Sequence, residues 1–147
     1  MKLHVLWVTA MLLMGVVACD SGPRSPVGFR LPEGNIERGK VAFLELRCYG
    51  CHRVAGIELP PLTGDLAKPV ALGGKVFRGV TDGYLVTSII HPSYRLARGY
   101  SKGQIAMSEG ASRMPNHGNS MTVHQLVDLV AFLQSRYSVV STPQPVF

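Results

Sequence analysis

Cysteine is scarce in this 147-residue sequence, which contains only three cysteines. Cys48 and Cys51 could form half of a four-ligand zinc site, but no second ligand pair of similar spacing is present. No dense basic run is interleaved with aromatic residues, so a nucleic-acid partner is not expected. The sequence also lacks internal repeats. A chain of this length is expected to form one small domain, and any thiol chemistry must come from its three cysteines.

Two of the cysteines belong to the pentapeptide Cys48-Tyr49-Gly50-Cys51-His52, which has the spacing of a c-type haem attachment site. Thiols three positions apart can each add across one vinyl group on the same porphyrin edge, and the next residue is then placed to ligate iron. A redox-active disulfide would need a βαβ context, which the flanking sequence does not offer. The sequence therefore predicts one covalently attached haem c, with thioethers at Cys48 and Cys51 and with His52 as the proximal iron ligand.

The third cysteine follows a segment with the composition of an export signal. Lys2 precedes an apolar run over residues 3–17, which is shorter than the ~20 residues of a membrane-spanning helix. Val16-Val17-Ala18-Cys19 resembles the lipobox of bacterial lipoproteins. We therefore expect residues 1–18 to be a lipoprotein signal peptide and Cys19 to be lipid-modified. The alternative is an uncleaved signal anchor, and both interpretations place the chain on the periplasmic side of a bacterial membrane.

Composition divides the remaining chain into three parts. Residues 19–32 are rich in proline and glycine and are predicted to form a membrane tether or linker. Residues 33–138 are predicted to be the folded domain, and residues 139–147 an irregular C-terminal tail. Without Lys2, 14 basic residues face 9 acidic ones, which gives a formal net charge of +5. This charge either forms an ordinary solvated surface or steers docking onto an acidic redox partner.

Apolar spacing predicts a helix near each end of the folded domain. Asn35 can cap a helix over residues 36–47, with Gly39 and the apolar Ile36 on its packing face. A capping box at Thr122 opens a second helix over residues 123–137, whose apolar face starts at Val123. Phe132 of this helix is expected to pack at Gly39, where the missing side chain permits a close crossing.

The middle of the domain has weaker signals. Thr81-Asp82-Gly83 can start a short helix, which must end near His91 because Pro92 follows. Residues 72–80 contain two adjacent glycines between short apolar pieces, and they predict either a small hairpin or an open loop.

Together these features resemble the class I c-type cytochromes over most of residues 36–137. The matching marks are Gly39 and Phe43 in a first helix, the Cys-x-x-Cys-His motif, Pro60-Pro61-Leu62-Thr63-Gly64, Arg113-Met114-Pro115 and an amphipathic last helix. The middle section is similar to haem-c domains fused to subunit II of some bacterial cytochrome oxidases. The resemblance implies an all-α fold, with three to five helices around one haem that exposes one porphyrin edge.

The resemblance also suggests the remaining groups around the iron. Met114 matches the distal ligand because a proline follows it and a capped helix begins soon after, and a thioether raises the reduction potential relative to bis-His ligation. His117 is its main competitor, and Met107 and Met121 also lie downstream. Metal-bound imidazoles usually donate their other N–H to a carbonyl or carboxylate. In the family this acceptor maps onto Pro60, with Pro61 as the alternative.

These expectations favour a membrane-anchored, His/Met-ligated periplasmic electron carrier of a respiratory chain over an enzyme. A variant of this function is a haem subunit that belongs permanently to an oxidase or a quinol-oxidising complex. An enzyme or ligand-binding haem protein would need an open sixth site, which Met114-Pro115 argues against. The expected partners are redox proteins, with an acidic docking surface on a terminal oxidase or quinol-oxidising complex, and the membrane through the lipid anchor.

Overall fold

The computed structural model describes residues 29–61 and 68–140. Helices dominate this part of the chain, but it also contains four short strands, so the all-α prediction was incomplete. The elements in chain order are α1 (Ile36–Glu45), a 3-10 turn (Cys48–Gly50), β1 (His52–Val54), β2 (Val70–Leu72), β3 (Gly74–Val76), α2 (Asp82–Ile90), α3 (Lys102–Ile105), α4 (Val123–Gln134) and β4 (Tyr137–Val139).

The crossing of α1 and α4 forms the centre of the core, and it confirms the predicted contact at Gly39. A side chain at this position would collide with the backbone carbonyl of Asp128, and its Cβ would lie 2.6 Å from the Cβ of Phe132. Phe43 and Phe132 are both fully buried, with ring centroids 5.7 Å apart and planes tilted by 60°. Two other expected core positions were wrong, because Ile36 and Val123 are exposed at the starts of their helices.

A buried carboxylate joins the same two helices. Asp128 on α4 accepts hydrogen bonds from Arg38 Nε at 2.7 Å, Arg38 Nη2 at 3.1 Å and the backbone N–H of Asn35 at 2.7 Å. Arg38 lowers the pKa of Asp128 below its usual range, and the Asn35 N–H acts in the same direction. Asn35 also caps α1, since its side chain accepts from the Arg38 N–H at 2.9 Å.

Replacing Asp128 by asparagine should make stability less dependent on pH. Because the pKa of Asp128 is lower in the folded protein, its stabilising contribution is present above the unfolded value of ~3.9 and is lost as pH falls through the folded value. We expect Asp128→Asn to lower the Tm of the holoprotein at pH 7, and the difference from wild type to narrow towards pH 3. Circular dichroism melts at pH 7 and pH 3 would measure this Tm difference. The control is Glu109→Gln, which removes the charge of an exposed carboxylate. A difference of equal size at both pH values would contradict the assignment.

Helix α2 is capped and terminated as predicted. The Thr81 side chain accepts from the Tyr84 N–H at 3.2 Å, and the helix ends at Ile90, two residues before Pro92. Gln134 fixes the N-terminal end of α2 to α4, because its Nε2 donates to the Val80 carbonyl at 2.8 Å and to Asp82 Oδ1 at 2.9 Å.

The strands form two parallel pairs, β1 with β2 and β3 with β4. The hairpin alternative for residues 72–80 was therefore wrong, because β2 and β3 are neighbours in sequence but pair with different strands. Gly73 and Gly74 allow this change of partner, with φ values of 79° and 88° that disfavour other residues. A Cβ at Gly73 would also lie 2.8 Å from the Cβ of Arg136.

The pairing of β3 with β4 moves the expected boundaries at the C-terminal end. The helix predicted over 123–137 ends at Gln134, and Val139 belongs to β4 instead of to an irregular tail. At the other end, Leu31 packs against the core although it was assigned to the linker. The expected signal peptide, Cys19, most of the linker and residues 141–147 lie outside the described residues. Within the described ranges, no helix has the length and apolar character needed to cross a membrane.

Candidate functional site

A partly open cavity lies between the α1–α4 core and α2 and encloses about 510 Å³, including some space open to solvent. The lining is almost entirely apolar. The residues that line it are Phe43, Leu46, Cys48, His52, Leu72, Leu85, Ser88, Ile89, Met114, His117, Met121, Leu129 and Leu133.

The two cysteines of the predicted attachment site follow α1, and the first of them lines the cavity. Arg47 has a left-handed φ of 55°, which breaks the helical conformation after α1. It immediately precedes the 3-10 turn that begins at Cys48. Cys48 lines the cavity, whereas Cys51 is half-buried beside the turn and outside the lining. Both thiols are free of a disulfide. Burial raises the pKa of Cys48 to about 11, so its thiol is neutral in the folded polypeptide.

His52 is the first residue of β1 and lines the same cavity. Its Nδ1 lies 3.3 Å from the carbonyl oxygen of Val70. Because a carbonyl can only accept, this contact favours the tautomer with the proton on Nδ1 and leaves the Nε2 lone pair available. Burial lowers the pKa of His52, and the Val70 carbonyl offsets this effect only in part. The imidazole is therefore held in the neutral form that binds metals.

The structure corrects the expected acceptor for this imidazole from Pro60 to Val70. The Pro60 carbonyl accepts from Arg53 Nη2 at 3.0 Å, whereas Val70 is the Cα partner of His52 in the parallel β1–β2 pair. The alternative, Pro61, makes no hydrogen bond to His52 in the described part of the chain. No signal in the sequence pairs two three-residue strands across 18 positions.

Arg53 holds the attachment turn against the chain that follows β1. Its Nη1 donates to the carbonyls of Tyr49 at 2.9 Å and His52 at 3.0 Å, while its Nη2 reaches Pro60. Arg53 was not singled out from the sequence, where a basic residue after the motif looks like an ordinary surface residue. Its three bonds to backbone carbonyls instead make it part of the framework around His52.

Met114 lines the cavity from a loop whose backbone is held by hydrogen bonds at Arg113 and at Met114 itself. Its backbone N–H donates to Ser112 Oγ at 3.1 Å, and the preceding Arg113 N–H donates to the Ile105 carbonyl at 2.9 Å. Ser112 also forms an isolated bridge with Ala106, just after α3. Met107, at the other side of this bridge, is 59% exposed and does not line the cavity.

Two other candidate ligands share the cavity with Met114. His117, expected on the surface as a loop histidine, is half-buried and belongs to the lining, and so does Met121. The structure thus brings together one proximal candidate, His52, and three distal candidates. All three distal candidates lie in the segment between α3 and α4.

The donor set fits one covalently attached haem. Two free thiols can form the thioethers, a neutral imidazole and a thioether can serve as axial ligands, and the apolar lining suits a porphyrin ring. A different kind of metal site is less well supported. The described ranges contain no group of three or more His, Cys, Asp or Glu residues that could hold a bare metal ion.

Comparisons with known proteins agree with this fit. A protein-family model described as Cytochrome c matches residues 36–136, which is more than half of the chain. The comparison with curated proteins gives no match, and the comparison with solved structures gives none either.

Proposed function

The chain belongs to the cytochrome c family and its cofactor is covalently bound haem c, and on this premise we propose that it is a membrane-anchored periplasmic electron carrier with His52 and Met114 as iron ligands. Electron transfer by a haem c protein is the activity of the family.

The observation that carries the proposal is the convergence of Cys48, His52 and Met114 on one apolar cavity. When bound, haem c supplies the one-electron chemistry of iron between its ferrous and ferric states. The chain contributes the covalent attachment and the axial donors. Leu85, Leu129 and the other apolar lining residues limit the access of solvent to the cofactor and lower the local dielectric constant, and both effects tune the reduction potential.

Hydrogen bonds restrain the backbone around both Met114 and His117, and the proline that follows Met114 favours it as the distal ligand. Ser112 and Ile105 hold the chain at and just before Met114, and Pro115 limits its conformations immediately after. His117 lies in a tight turn, in which Asn116 Oδ1 accepts from the Gly118 N–H at 2.8 Å and the His117 carbonyl accepts from the Ser120 N–H at 3.0 Å. A thioether on a restrained loop keeps the sixth site filled, which suits a carrier.

The charge distribution supports an acidic redox partner. Residues 68–113 contain seven basic and two acidic side chains, whereas helix α1 has two of each. The basic residues are Lys68, Lys75, Arg78, Arg95, Arg98, Lys102 and Arg113. This section leads into the Met114 loop, so positive charge is concentrated in the part of the chain that supplies the proposed distal ligand. We propose that it docks on an acidic face of a terminal oxidase or a quinol-oxidising complex.

Redox titration and ligand binding by the purified holoprotein test the function. We expect a single one-electron transition, low-spin six-coordinate iron in both states, and no ready binding of carbon monoxide by the reduced protein. High-spin ferric iron or rapid carbon monoxide binding would instead support an enzyme or a ligand sensor with an open sixth site.

Changing Cys19 to serine tests the anchor. Cys19 lies outside the described residues, and its lipobox context motivates the prediction. We expect the wild-type holoprotein to fractionate with membranes and to carry a lipid by mass spectrometry, and Cys19→Ser to carry none while keeping the same haem spectrum. An unlipidated wild-type protein in the soluble periplasmic fraction would contradict the lipoprotein assignment.

A further inference from the structure

The Tyr100 hydroxyl connects two backbone groups of the segment that contains β2. It donates to the carbonyl of Pro69 at 3.1 Å and accepts from the N–H of Ala71 at 3.0 Å. These bonds span 31 and 29 positions of the chain. Lys68 lies over the same ring, with its Nζ 5.4 Å from the centroid. The phenol is thus fixed at both its polar end and its ring face.

Val70 is the residue between these two hydrogen-bonded groups. Its carbonyl faces His52 Nδ1 at 3.3 Å, and its N–H donates to the Cys51 carbonyl at 2.9 Å. The Cys51 bond attaches Val70 to the attachment motif on one side. The Tyr100 hydroxyl holds the two peptide groups that flank Val70. The direction of the Val70 carbonyl is therefore constrained from both sides.

We propose that Tyr100 is a positioning residue for the proximal histidine, acting through the Val70 carbonyl. The inference rests on the proposed function, in which His52 ligates iron. A carbonyl that accepts the Nδ1 proton fixes the ring orientation and increases the basicity of the imidazole as a ligand. A more basic ligand favours ferric iron, so the Tyr100 hydroxyl lowers the reduction potential and narrows the range of ring orientations.

The variant Tyr100→Phe tests this role, because it removes the hydroxyl and keeps the ring under Lys68. In the holoprotein we expect a higher reduction potential and broader low-spin ferric EPR lines, with unchanged haem content. The shifts of the haem methyl signals in paramagnetic NMR should also change, since they report the imidazole orientation. The matched control is Tyr94→Phe, because Tyr94 is 65% exposed and its hydroxyl has no hydrogen bond among the described residues.

A purely structural role would lower the Tm of Tyr100→Phe while leaving its potential and NMR shifts equal to those of Tyr94→Phe, and this result would overturn the proposal. Failure of the proposed function can be distinguished from failure of the role proposed for Tyr100. A wild-type spectrum without low-spin His-ligated iron would refute the ligand assignment, whereas failure of the inference leaves the wild-type spectrum normal.

Discussion

Simultaneous replacement of Cys48 and Cys51 by alanine is expected to leave no haem on the chain after acid–acetone extraction. The thioethers are the only covalent links that the attachment motif provides, and the remaining axial bonds do not survive acid and organic solvent. The measurement is the absorbance of the extracted protein, supported by the intact mass, which should fall by the mass of one haem.

Cys19→Ser is the matched control for this experiment, because it removes the third cysteine and should retain all covalent haem. Each single variant at Cys48 or Cys51 should retain one thioether, with an altered absorption band from the unsaturated vinyl group that remains. Covalent haem on the double variant would show that the attachment site has been assigned to the wrong residues.

Substitution of Met114 is expected to have the second-largest effect, because it changes the coordination of the iron. Met114→Ala should open the sixth site to water or carbon monoxide, lower the reduction potential and remove the weak red charge-transfer band of methionine ligation. Met114→His should keep six-coordinate iron but also lower the potential, since imidazole favours ferric iron more than a thioether does. Visible spectra and redox titrations measure both results.

Two variants near Met114 distinguish the competing ligands. Met107→Ala is the control, because this exposed methionine lies outside the cavity. His117→Ala should leave the spectrum and potential nearly unchanged if His117 only lines the cavity. The opposite pattern, with Met114→Ala silent and His117→Ala disruptive, would assign a bis-His site and a relay of lower potential.

Features encoded over a few residues could be predicted from the sequence. The caps at Asn35, Thr81 and Thr122 mark the beginnings of three helices, because a capping side chain bonds to an N–H only three positions away. The helical period and the missing side chain at Gly39 indicated the α1–α4 crossing. The haem motif is equally local, since its two thiols and its imidazole occupy five consecutive positions.

Features that join distant segments were decided only by the tertiary structure. The Asp128–Arg38 ion pair links residues 90 positions apart, and an isolated polar residue on a helix does not reveal its partner. The paired strands are three residues long, too short for an alternating pattern to predict.

The surroundings of His52 show the division between sequence and tertiary structure most clearly. The Cys-x-x-Cys-His motif by itself determined the cofactor, because covalent attachment requires two thiols at that spacing, and it predicted the adjacent imidazole as the proximal ligand. The acceptor of the imidazole proton, Val70 instead of Pro60, and the presence of His117 in the cavity were decided by how strands and loops fold around the site. Side-chain chemistry is fixed by residue type, whereas the direction of a carbonyl or a loop histidine depends on contacts made across the whole domain.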